Sequence, residues 1–213
     1  MIASGLACAV GGGDAPWTRK ARPALERLAR QAVLEPSGLV DDRGMLHVGI
    51  YQVRKLAGDD EGARKAAAEW LDSIEAEDRA APHPSPDERA SRDGCRLQAA
   101  TFLGQAARAV PALEASARLA PDDYSTHRRL ASAYEGAGRH DEALASAARG
   151  LSLSPGPEGR ARLLMVRGAA QARKGDRAAA SKTFDEAVAA LSRILNQATR
   201  QALLRRIEEL RRR

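Results

Sequence analysis

Residues 124–155, YSTHRRLASAYEGAGRHDEALASAARGLSLSP, decide the fold. Leu130 and Tyr134 are four residues apart, so they lie on one face of a predicted helix. Gly138 predicts the end of that helix, because glycine adopts the left-handed conformation beyond the last turn at little cost. An alanine-rich segment then predicts a second helix, which ends before Pro155. The stretch is therefore expected to form a helical hairpin with small residues where its helices approach each other.

The hairpin has neighbours at similar spacing along the chain. Pro121 precedes Pro155 by 34 residues, and Gly104 precedes Gly138 by the same distance. Gly175 follows Gly138 by 37 residues and corresponds to it in a third copy of the pattern. A more divergent hairpin is expected over about residues 45–77, with a glycine at its turn. Because each hairpin leaves an apolar face uncovered, stacked neighbours would bury a continuous core.

The central hairpin resembles the tetratricopeptide repeat (TPR) family, whose repeat is 34 residues long. The residues that fall on the signature positions of that family are Leu130, Ala131, Tyr134, Gly138, Ala143, Leu151 and Pro155. This resemblance implies an all-α, right-handed solenoid of antiparallel helix hairpins with a C-terminal capping helix. It also implies a protein–protein interaction module, a scaffold or adaptor without a cofactor, that binds a peptide or partner helix in a concave groove.

Five segments are expected along the chain. A flexible leader covers 1–17, and N-terminal helices with the divergent hairpin cover 18–80. A proline-rich loop covers 81–91, and three TPR-like hairpins cover 92–195. A basic capping helix covers 196–213, with an apolar stripe on one side and arginines on the others.

Composition and charge agree with a helical protein and limit the partners. Hydrophobic residues make up 44% of the chain and aromatic residues only 3%, which favours closely packed helices over a β-sandwich. Of the net charge of +6, most lies in residues 193–213, which hold seven arginines and two glutamates. No aromatic residues interleave with these arginines for base stacking, so a solvated cap face is favoured over nucleic-acid binding. No apolar run is long enough to span a membrane.

The sequence offers no catalytic constellation, and an enzyme is not expected. The four histidines are not spaced as metal ligands, and no nucleophile is paired with a base. Cys8 and Cys95 are far apart and belong to no CxxC pattern. The N-terminus lacks the positive segment of a signal peptide, so a cytoplasmic location is expected, with export as the alternative.

The resemblance assigns a groove to the first helices of successive hairpins. The residues carried over to it are Gln98, Thr101, Arg128, Ser132, Glu135, Arg162, Met165 and Arg173. Arg128 and Arg162 would project from neighbouring helices into one concavity, where guanidinium groups suit carboxylates, including a peptide C-terminus. Ser132 stands where the carboxylate clamp of the family needs asparagine. The expected partner is therefore an acidic or mixed peptide rather than a chaperone tail.

An alternative comes from a second resemblance, which would cover nearly the whole chain. Residues 41–47 (DDRGMLH) and 174–180 (KGDRAAA), with the alanine-rich hairpins between them, are similar to the helical region that follows the thioredoxin domain in some bacterial thioredoxin-family proteins. This resemblance implies an accessory substrate- or partner-binding region of a thiol-redox protein whose catalytic domain is absent here. Redox activity is not implied, because the chain has no CxxC.

Overall fold

The computed structural model of the chain describes residues 16–34, 40–80 and 83–212, and every regular element in these ranges is helical. Ten α-helices follow one another in the described residues, with a short 3-10 helix, Ala106–Ala109, before the fifth. They are α1 (Pro16–Leu34), α2 (Val40–Leu56), α3 (Asp60–Ala80), α4 (Pro86–Leu103), α5 (Val110–Leu119), α6 (Tyr124–Gly136), α7 (His140–Ser152), α8 (Pro157–Arg173), α9 (Arg177–Leu191) and α10 (Gln197–Arg211). The predicted all-α, TPR-like architecture is confirmed.

The chain divides into two compact units, 1–104 and 105–213. In the first unit, α2 packs against α1, α3 and α4. One face of this packing is apolar, with Ile50 and Val53 of α2 against Ala29 of α1. Another face is aromatic, where Tyr51 stacks on Phe102 with ring centroids 3.9 Å apart. The first unit is thus held by a core of its own.

The second unit contains two successive hairpins, α6–α7 and α8–α9, followed by α10. The turn glycines Gly138 and Gly175 have φ of 76° and 88°, the left-handed conformation expected from the sequence. The core between the last three helices is built on Phe184 of α9 and on Leu203 and Ile207 of α10. These two residues of α10 are 5% and 0% exposed, so the last helix covers the final hairpin as a cap.

Two predicted boundaries need correction. The loop expected over 81–91 is shorter, because α4 begins at Pro86. Ser85 Oγ accepts a hydrogen bond from the Glu88 backbone N–H at 3.3 Å, and Glu88 accepts one from the Ser85 N–H at 2.8 Å. This capping box, with a proline at the first helical position, starts the helix among residues that resemble a loop. The expected leader 1–17 lies outside the described residues except for its last two, which begin α1.

The expected set of three hairpins within 92–195 also differs from the structure. The first of them would pair α4 with α5, but these helices belong to different units. Helix α4 packs on α2 and α3, whereas α5 packs on α6. The second unit therefore contains two complete hairpins, and α5 precedes them as a single short helix.

Candidate functional site

Helix α6 carries three of the predicted groove residues along one face. Asp123 caps its first turn by accepting hydrogen bonds from the backbone N–H groups of Ser125 and Thr126, at 2.9 and 3.1 Å. Arg128, Ser132 and Glu135 then follow at intervals of four and three residues, the spacing that places side chains on one helical face. The Ser132 hydroxyl donates to the Arg128 carbonyl at 3.0 Å, so it is already engaged within the helix.

Helix α8 packs against α6 and carries the other groove residues of the second unit. Arg162 and Arg173 are partly or fully accessible near its two ends, but Met165 is only 9% exposed and belongs to the core. Met165 therefore offers a ligand little surface. The repeat pattern predicts an exposed side chain at this position, but the side chain packs into the core. Gln98 and Thr101 lie on α4 in the first unit, whereas the other six predicted groove residues lie in the second unit.

Arg128 and Arg162, which we predict to share one concavity, interact electrostatically. Burial lowers the pKa of the Arg128 guanidinium, and the positive charges of Arg162 and Arg129 lower it further. Arg162 forms an ion pair with Glu158, one turn away, at 2.8 Å. Within the described residues, the Arg128 guanidinium forms no hydrogen bond or ion pair. A partly buried cation therefore lies beside a second cation, and Glu158, whose charge also attracts Arg128, is ion-paired with Arg162.

A second feature of the same unit was indicated by the sequence only in part, through the predicted groove residues Glu135 and Arg173. It is a cleft of about 460 Å³, named here the C-terminal cleft, that joins the end of α8 to α10. The side chains that line it are Glu135, Ala169, Ala172, Arg173, Arg177, Ala180, Ser181, Phe184, Arg206, Leu210, Arg211 and Arg212. From the sequence, Arg206, Arg211 and Arg212 are expected on a solvated face of the cap. The sequence feature that pointed to them is the high number of arginines in 193–213. The local sequence does not indicate that these arginines lie near Arg173 and Arg177.

The described residues offer neither a metal site nor a membrane-spanning helix. No group of histidine, cysteine, aspartate or glutamate side chains in this part of the chain could hold a metal ion. No helix within the described ranges is long and apolar enough to cross a membrane. Cys95 lies on α4 and is partly buried, and Cys8 lies outside the described residues.

Comparisons with known proteins find solved structures that resemble this chain, but no match to its sequence among family models or curated proteins. No protein-family model and no curated protein matches the sequence. The chain is similar to the solved structure of YrrB, a TPR protein with an unusual peptide-binding site, at 16% identity and a TM-score of 0.48, over 92% of this chain and 90% of that one. It is also similar to the TPR2AB domain of yeast Sti1 in complex with pHSP90, at 17% identity and a TM-score of 0.48, over 97% of this chain and 84% of that one.

The chain's own features carry the assignment of its fold. Two consecutive hairpins turn at left-handed glycines, small residues lie where their helices approach, and a polar-backed helix follows them. The helix boundaries and the left-handed turn glycines together identify two successive tetratricopeptide-like helix hairpins in the second unit.

Proposed function

We propose that this chain is a protein-interaction module that binds a peptide or partner helix along α6 and α8. The observation that carries this proposal is the pair of guanidinium groups at Arg128 and Arg162. Arg128 is partly buried, its pKa is lowered by burial and by neighbouring cations, and its guanidinium forms no ion pair with a described residue. A ligand carboxylate would offset this repulsion and accept hydrogen bonds from both groups.

The chemistry of the pair favours an acidic segment or a peptide C-terminus as the ligand. Arginine presents a planar set of donors that matches a carboxylate. Ser132, which stands in place of the clamp asparagine, donates its hydroxyl to its own helix, so it supplies no amide to the ligand. We therefore propose that binding depends on the two arginines, with no turnover and no cofactor. The thioredoxin-associated alternative has no supporting feature in the described part of the chain.

The test is a double charge reversal, Arg128→Glu with Arg162→Glu, compared with the wild-type chain in a pull-down from a lysate of the source organism. Bound proteins would be identified by mass spectrometry, and their acidic or C-terminal segments would be measured as synthetic peptides. We expect the variant to lose the wild-type partners and to bind their peptides at least tenfold more weakly, since two charge-assisted contacts become repulsive.

A matched control separates the groove from the general loss of positive charge. Arg193→Glu with Arg205→Glu changes two exposed arginines of the same unit by the same amount, outside α6 and α8. This control should retain the partners, and circular dichroism should show equal helicity in all three proteins. Equal binding by the groove variant and the wild type would refute the assignment of the site.

A further inference from the structure

The C-terminal cleft has an apolar floor between three helices of the second unit. Ala172 of α8 and Leu210 of α10 contribute partly exposed apolar side chains to this floor. Both pack against the core that contains Phe184 of α9, which is 2% exposed. A volume of about 460 Å³ lies within the range of roughly 300–1,000 Å³ found for ligand pockets.

The rim of the cleft is strongly basic. Five arginines and a single glutamate, Glu135, line it. Arg173 at the end of α8 and Arg177 at the start of α9 are exposed, and their guanidinium groups form no hydrogen bond or ion pair with any described residue. They are therefore available to an anionic ligand.

The arginines of α10 are held in place beside them. Arg211 forms an ion pair with Asp185 at 2.5 Å, which ties α10 to α9, and Arg206 forms one with Glu209 at 2.9 Å. Arg212 donates to the Glu208 carbonyl at 3.3 Å. These contacts orient the guanidinium groups but use only part of their donors, since each guanidinium carries five N–H groups.

We infer that the C-terminal cleft binds an acidic peptide segment that places one apolar side chain on the floor and carboxylates against Arg173 and Arg177. The inference rests on the proposed peptide-binding function of this unit, but it uses a different set of arginines from the Arg128–Arg162 pair. Apolar and anionic groups a few ångströms apart are what a peptide such as Glu-Leu-Glu presents. Glu135, the one acidic residue of the lining, would repel carboxylates and so direct the anionic part of the ligand toward the arginines.

The lining fits a peptide better than a nucleic acid. Binding of single-stranded nucleic acid without sequence preference relies on exposed aromatic rings on which bases stack. The only aromatic side chain in the cleft, Phe184, is buried in the core and offers no ring face to a base. The apolar floor would instead leave a phosphate backbone without partners at the centre of the cleft.

The experiment uses the full chain and a fluorescein-labelled decapeptide of glutamate with one central leucine, titrated by fluorescence anisotropy. The variant Arg173→Ser with Arg177→Ser should bind the peptide about tenfold more weakly than the wild type, because two charge-assisted contacts are lost. Replacing the central leucine of the peptide by glycine should weaken binding to the wild type about fivefold or more, because the floor contact is lost. The control Arg193→Ser with Arg205→Ser should change the affinity less than twofold.

Further outcomes separate this inference from the proposed function. Binding of the probe should persist in the Arg128→Glu, Arg162→Glu variant, since the cleft is intact there. If that variant loses the probe while the Arg173→Ser, Arg177→Ser variant retains it, the cleft inference is wrong and the groove proposal stands. No binding by the wild type, or equal binding of the leucine and glycine peptides, would also overturn it. Stronger binding of a single-stranded oligonucleotide of equal charge would assign the cleft to nucleic acid instead.

Discussion

At the scale of single residues, Gly168 of α8 allows this helix to approach α9 closely. A Cβ atom at this position would lie 2.7 Å from Cε1 of Phe184 on α9. Phe184 is 2% exposed and lies in the core shared with α10, so its ring has little room to move. Gly168 corresponds to Ala131 of the preceding hairpin by the 37-residue shift, so both hairpins carry a small residue at this position.

We expect Gly168→Ala to destabilise the protein although alanine favours helix formation. Overpacking costs about 1–3 kcal/mol and the gain in helix propensity is about 1 kcal/mol, so the free energy of unfolding should fall by about 1 kcal/mol. Chemical denaturation followed by circular dichroism would measure it. The control is Gly94→Ala on α4, where an added Cβ meets nothing within 4 Å. This control should stabilise its helix by about 1 kcal/mol. Equal stabilisation by both changes would contradict the packing argument.

At the scale of elements, α6 depends on its first turn to hold Arg128 in position. The Asp123 carboxylate accepts from two backbone N–H groups and, at 2.6 Å, from the Thr126 hydroxyl. Burial raises the pKa of Asp123, but the hydrogen bonds from Thr126 and Ser125 lower it by more, so the net shift is downward. The N-cap therefore links the stability of the groove helix to pH.

We expect Asp123→Ala to lower the free energy of unfolding by about 1 kcal/mol at neutral pH, the usual effect of losing an N-cap. Because the folded-state pKa is lowered, the carboxylate contributes stability above its unfolded pKa of about 3.9. That contribution is lost as the pH falls through the folded-state pKa. Thermal unfolding between pH 7 and pH 2 should therefore show the difference between wild type and variant shrinking with acid. Asp123→Asn, which keeps an acceptor, should cost less; a pH-independent difference would contradict the argument.

At the scale of the whole molecule, the chain consists of two units with separate cores, divided after Gly104. The hairpins that carry the Arg128–Arg162 pair and the C-terminal cleft both lie in the second unit. Since helical hairpins derive most of their contacts from nearest neighbours, a unit with its own core and cap is expected to fold alone.

We expect residues 105–213, expressed alone, to be helical and to unfold in one cooperative transition, because α10 covers the last hairpin within this segment. Circular dichroism on heating would test this. Removing residues 196–213 from this fragment should lower the midpoint temperature of unfolding, because the core around Phe184 and Ile194 becomes exposed. A disordered 105–213 fragment would show that the second unit depends on the first.

The sequence by itself determined the hairpins of the second unit and their turns. Leu130 with Tyr134, and the glycines at 138 and 175, act through contacts within a few residues, and such contacts are encoded in helical periodicity and turn chemistry. The resemblance to the repeat family, rather than this local argument, assigned Arg128 and Arg162 to neighbouring first helices. The local argument misjudged the start of α4, because a proline-rich segment can be either a loop or the first turn of a capped helix.

Only the tertiary structure decided the boundary between the units and the composition of the C-terminal cleft. The boundary depends on which helices α4 and α5 pack against, and hairpin spacing alone would have paired them. The cleft brings Arg206 and Arg211 beside Arg173, more than 30 residues earlier in the chain. That meeting depends on how α10 docks on α8 and α9, and docking is set by the packing of buried side chains such as Ile207, which local pattern does not encode.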